Sequence, residues 1–134
     1  MWRYTTKQPV DDWQKADFDD KAWQEGPGGF GDRSNLSRVR TEWATRQIWL
    51  RREFTMPEGT YDDLLVLINH GSDAEVYVNG VLAVKAPADV YDYEEMPISA
   101  EARKILKPGK NLVAVHCHGT DGWQYIDVGI TAVK

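Results

Sequence analysis

The chain has 134 residues, enough for one domain with its own core, and a formal net charge of −5 at pH 7. That charge argues against a nucleic-acid binder, because nothing but a small cluster at Arg33, Arg38 and Arg40 favours phosphate. No apolar run nears the roughly 18 residues of a membrane span, and a single cysteine excludes an internal disulfide or a multi-cysteine zinc site.

The N-terminal stretch MWRYTTKQPVDDW contains WRYTT, which alternates as a short strand does, and no long apolar run of the signal-peptide kind. DDWQKADFDDKAWQEGPGGFG follows, with turn formers and a glycine-rich end. Asp19 or Asp20 can cap a single helical turn there, leaving Phe18 and Trp23 to plug the core. GPGGFG, residues 26–31, is expected to be a loop that visits positive φ. Residues 32–46 are polar and read as a long exposed loop.

From Gln47 onwards strand signals dominate. QIWLRREFT places Ile48, Leu50 and Phe54 on one face and Trp49, Arg51 and Glu53 on the other. LLVLIN, residues 64–69, is a continuous apolar run and reads as a central strand. In AEVYVNGVLAVK, Asn79-Gly80 supplies the two positive-φ residues of a type I′ hairpin turn. SAEARKIL reads as a short helix capped by Ser99, with Ala102, Ile105 and Leu106 facing inward. NLVAVHC is a further strand, and QYIDVGITAV ends the chain with Ile126, Val128, Ile130 and Ala132 on one face. About eight short strands and one short helix, with turn signals every 8–12 residues, define an all-β sandwich or barrel. No linker composition divides the chain, so residues 1–134 are taken as one domain.

The order of these pieces resembles a known pattern. DFDDKAW, then QIWLRREFTMP, then AEVYVNG, then LKPGKNLVAVHC, is similar to the galactose-binding-like jelly roll, and in particular to the sugar-binding β-sandwich of family 2 glycoside hydrolases. Similar modules occur in multidomain bacterial β-galactosidase- and glutaminase-type proteins. The resemblance implies a jelly-roll β-sandwich excised from a larger protein, a secreted or periplasmic setting, and no catalytic residues of its own. In that family the acid and nucleophile sit in a separate barrel. The motifs themselves are structural: Asn79-Gly80 turns a hairpin, and Gly109-Lys110-Asn111 turns into a core strand.

Several residue groups invite a chemical role. His116 and His118 share a strand face and could chelate a metal with Asp121 or Asp127, but two partly exposed polar strand residues is the preferred reading. Cys117 falls on the opposite face with Val113 and Val115 and is assigned to the core. Asp17, Asp19 and Asp20, and likewise Asp92, Glu94 and Glu95, could form a carboxylate pair only if a pocket placed them roughly 5–10 Å apart. No cofactor is assigned. A structural Ca²⁺ at DFDD or HGSDAE is what the resemblance leaves open.

The chain has six tryptophans. Trp2, Trp13, Trp23, Phe18 and Phe30 are assigned to the core. Trp43 and Trp123 are expected to be exposed, where an indole face can stack on a sugar ring. The expected carbohydrate-binding set is Arg40, Trp43, Tyr91, Asp121, Trp123 and Tyr125, which combines rings with planar polar groups. The partner is then a glycan or, in a spacer role, a neighbouring catalytic domain of the same chain. Neither nucleic acid nor a membrane is expected as a partner.

Overall fold

The computed structural model describes residues 1–32, 39–56, 63–70, 73–86, 94–119 and 124–133. They form a jelly-roll β-sandwich. Eleven strands and one helix are described: β1 (Trp2–Thr5), β2 (Gln24–Gly26), β3 (Phe30–Gly31), β4 (Thr41–Glu42), β5 (Gln47–Met56), β6 (Asp63–His70), β7 (Asp73–Val78), β8 (Val81–Ala86), β9 (Glu94–Pro97), α1 (Ala100–Lys104), β10 (Gly109–His118) and β11 (Tyr125–Val133). The sheets run β2-β1-β5-β10-β7-β8 and β4-β3-β11-β6-β9. The count exceeds eight because β2, β3 and β4 are pieces of two or three residues. Distant pairing holds them, and local alternation does not mark them.

Alternation builds the core between the sheets. Ile48 and Leu50 from β5, Val113, Val115 and Cys117 from β10, Val76 and Val78 from β7, and Val66, Ile68, Ile126 and Val128 from the second sheet are all buried there. β6 lies between β11 and β9, as a central strand should, although Leu65 and Leu67 on its outer face are only half-buried. Burial pushes the Cys117 thiol far above its usual range, with Asp73 adding to the shift, so it stays an inert core group.

Two signature asparagines act as one unit. Asn79 and Gly80 take φ of 48° and 87°, as the hairpin turn demands. The Asn79 amide then donates to Asn111 Oδ1 at 2.8 Å, and Asn79 Oδ1 accepts from the Leu112 N–H at 2.8 Å. Asn111 in turn donates to the carbonyls of Lys107 and Gly109 at 2.9 and 3.1 Å. The hairpin and the turn into β10 are therefore locked together. Ser99 caps α1, accepting from the Ala102 N–H at 3.1 Å and donating to the Leu82 carbonyl at 2.7 Å. Ala102 is buried and Leu106 packs on the core, whereas Ile105 is 36% exposed and does not face inward.

The outer face of the six-stranded sheet is covered over part of its area by residues 7–23. These make turns and no helix. Asp19 accepts from the Lys21 N–H at 3.0 Å as a local turn, and Asp20 pairs with Arg51. Arg51 is 2% exposed and organises this layer. Its Nε donates to Asp20 at 2.9 Å, and its two terminal nitrogens donate to the carbonyls of Trp13, Lys15 and Phe18 at 2.7, 2.9 and 3.1 Å. Burial lowers the Arg51 pKa, while Asp20, Asp17 and Glu53 push it back up. Trp2 and Phe30 lie in the core as expected, but Phe18, Trp13 and Trp23 do not. They are half-buried and pack on one another outside the sheet, Trp13 on Trp23 at 6.5 Å and Phe18 on Trp23 at 5.7 Å between ring centroids.

The glycine-rich stretch differs from expectation in its reason. Among the described residues only Gly80 and Gly109 are glycines with positive φ. Gly28, Gly29 and Gly31 are required by close approach instead. A Cβ on Gly29 would stand 2.0 Å from the Tyr125 hydroxyl, and one on Gly31 would stand 2.6 Å from the Gln124 carbonyl.

Candidate functional site: a polar groove across four strands

Strand register assembles a row of chemically active side chains. On the uncovered part of the six-stranded sheet, Trp49 pairs with His116, His116 with Glu75, and Glu75 with Lys85. One step towards the strand ends, Gln47 pairs with His118 and His118 with Asp73. These rows line a groove of about 500 Å³ bounded by Asp73, Ala74, Glu75, Lys85, Ala86, His116 and His118. The His116 ring lies flat on Trp49, 4.9 Å between centroids at 9°. Trp13 abuts the same imidazole edge-on at 6.4 Å and Tyr77 at 5.7 Å, so a half-buried aromatic wall adjoins the groove.

The imidazole is held at both nitrogens. His116 Nε2 lies 2.8 Å from Gln47 Oε1, and Nδ1 lies 3.6 Å from Glu75 Oε1. Burial lowers the His116 pKa. Glu75 opposes that shift through a hydrogen bond and its charge, and His118 reinforces it. The lowered pKa leaves the ring mainly neutral at pH 7, with its single proton shared out between the Gln47 and Glu75 sides according to the tautomer. Two carboxylates, an ammonium and two imidazoles line this groove and can accept from and donate to hydroxyls, while the methyls of Ala74 and Ala86 face the core and are buried.

A second cleft, of about 520 Å³, opens at the side of the sandwich and includes Trp2, Gly28, Gly29, Arg40, Arg52, Tyr125 and Asp127. Arg40 is exposed and is placed by its own N–H, which donates to the Gly29 carbonyl at 3.0 Å. Tyr125 is 2% exposed, sealed beneath Gly29, and offers no ring face for stacking.

Of the six expected binding residues, the structure thus brings Arg40 and Tyr125 together. Trp43 is a correction: it is 1% exposed and belongs to the core. Its backbone N–H donates to the Gly31 carbonyl at 2.7 Å, and its backbone carbonyl accepts from the Gln124 side chain at 2.9 Å, which holds this segment against the sandwich. Tyr91, Asp121 and Trp123 lie outside the described residues. The strands that lead to them end at the groove, β8 at Ala86 and β10 at His118. Asp73, Glu75 and Lys85 were missed as site residues; the alternation of β7 with β10 is the signal that could have placed Glu75 beside His116.

The DFDD segment does not suit a cation. Asp20 already faces Arg51 at 2.9 Å and Arg3 at 3.5 Å, and Asp19 is engaged with backbone. HGSDAE falls partly outside the described residues. Asp127, on the other sheet, lines the side cleft and so cannot complete a site with His116 and His118, and no described group of three His, Cys, Asp or Glu is arranged to hold a metal.

This architecture is an all-β jelly-roll sandwich of two sheets. No family model and no curated protein matches the chain. Solved structures do. A glycosyl hydrolase family 2 member from Bacteroides cellulosilyticus matches with a TM-score of 0.62 at 15% identity, over 97% of this chain and 20% of that one. Bacteroides uniformis β-glucuronidase 2 matches at 0.65 and 18% identity, over 98% and 17%. Faecalibacterium prausnitzii β-glucuronidase matches at 0.54 and 21% identity, over 87% and 20%. The likeness is one of fold, and the chain spans about a fifth of the length of each of these glycosidase chains.

Proposed function

We propose that this chain is a non-catalytic accessory domain of a multidomain glycoside hydrolase, in a secreted or periplasmic setting, and that it holds a saccharide in the groove of Asp73, Glu75, Lys85, His116 and His118. The observation that carries the accessory role is the coverage: nearly all of this chain corresponds to only 17–20% of glycosidase chains. The groove supports the glycan role, because its mixed acceptors and donors suit hydroxyl groups. Affinity is expected to be weak, since an open groove buries little and a sugar gives up many water contacts. Affinity electrophoresis against a panel of soluble polysaccharides tests this. Retardation that is lost in Glu75→Gln and in Lys85→Ala supports it; migration unaffected by every polysaccharide overturns it.

One observation favours a second reading, that of a spacer packed on a catalytic domain. Trp2, Trp43 and Trp49 are each at most 4% exposed, so these indoles give a sugar no stacking face. Under that reading Trp123→Ala leaves polysaccharide binding unchanged, because there is none.

A further inference from the structure

We propose that β11 pairs edge to edge with β11 of a second copy of this chain, joining two five-stranded sheets into one. β11 keeps an unbroken register with β6 from Ile126 to Val133, but on its other side β3 pairs with Tyr125 and Ile126 alone. Residues 127–133 therefore present a strand edge that no described strand occupies.

Unpaired edges invite association, and proteins blunt them by shortness, charge, proline or a cover. The other edges here carry such devices. β2 has three residues and β4 has two. β9 has four, including Glu94, Glu95 and Pro97. β8 has a register shift opposite it on β7, and its Leu82 and Ala83 carbonyls are taken by Ser99. Between Val128 and Val133 the run VGITAV contains no charge, no proline and no register shift, and no described strand pairs with its outer side. Thr131 is exposed, and among the described residues a Cβ on Gly129 would meet only Leu67, at 3.9 Å and beyond. A slot of about 300 Å³ whose lining includes Arg52, Phe54, Val113, Val128, Gly129 and Ile130 runs beside the edge.

The edge is self-complementary, which is why the occupant is a second copy. An antiparallel two-fold pairing centred on Ile130 uses every residue from 127 to 133. It sets Ile130 against Ile130, Val128 against Ala132, Gly129 against Thr131, and Asp127 against Val133. Ile130 meets Ile130, and no like charges face each other in this register. This inference is independent of the glycan reading, because the groove lies on the other sheet.

Sedimentation equilibrium of the chain from micromolar to millimolar concentration tests it, with hydrogen exchange of β11 as the local readout. The apparent mass is expected to rise from 15.3 kDa towards twice that value, with exchange slowing in residues 127–133 as it does. Ile130→Lys sets two lysines face to face. Thr131→Lys blunts the edge from an exposed position, and it keeps the test valid if Ile130→Lys fails to fold. Each is expected to weaken association by about tenfold or more. A mass fixed at one chain throughout overturns the proposal, as does a dimer that survives both variants with unchanged β11 exchange.

Discussion

Arg51→Met is the most informative single change to the fold. It removes the donor to Asp20 and to the carbonyls of Trp13, Lys15 and Phe18, all within 3.1 Å. Removing one partner of a buried charged pair costs about 3–5 kcal/mol. The lower end applies, because Asp20 is 23% exposed and keeps Arg3 at 3.5 Å, and Lys15 keeps its bond from the Phe18 N–H. A loss of about 3 kcal/mol corresponds to roughly 10 °C in melting temperature for a chain of this size. Urea unfolding followed by circular dichroism gives the stability. Hydrogen exchange over residues 7–23 shows whether the covering segment comes loose first. A variant within about 0.5 kcal/mol of the parent, with that segment still protected, would refute the reasoning and give the aromatic packing of Phe18, Trp13 and Trp23 the holding role.

Asn79→Ala and Asn111→Ala should each cost about 1–3 kcal/mol by stranding buried groups, and a double-mutant cycle in urea should show the pair far from additive. Gly29→Ala drives a methyl into the Tyr125 ring; it should lower the melting temperature, and Tyr125→Ala in the same chain should recover part of the loss. His116 is pushed down by burial, so between its folded pKa and the unfolded value of about 6.5 the unfolded chain binds more protons. Stability from this group is therefore full above that unfolded value and declines as pH falls through the window below it. His116→Gln should flatten this acid limb in urea midpoints measured from pH 7 to 5.

What could be read from the sequence was what neighbouring residues settle among themselves. The Asn79-Gly80 turn, the Ser99 cap and the core face of Val113, Val115 and Cys117 depend on a few adjacent positions. Trp43 was misplaced because its burial depends on Gln124, a partner 81 residues away. GPGGFG announced unusual backbone, but its glycines are fixed by the approach of Tyr125 and Gln124 from β11. The groove was half legible. His116 and His118 stand out locally, whereas Glu75 and Lys85 join them only through the pairing of β10 with β7 and of β7 with β8.

The groove across β5, β10, β7 and β8 is proposed to take a saccharide. Its most direct test is an amide NMR titration of the chain with the oligosaccharides of whichever polysaccharide retards it most. Saturable shifts are expected at Asp73, Glu75, Lys85, His116 and His118, absent in Glu75→Gln. Shifts confined to Arg40, Gly29 and Tyr125, or none at all, would contradict it.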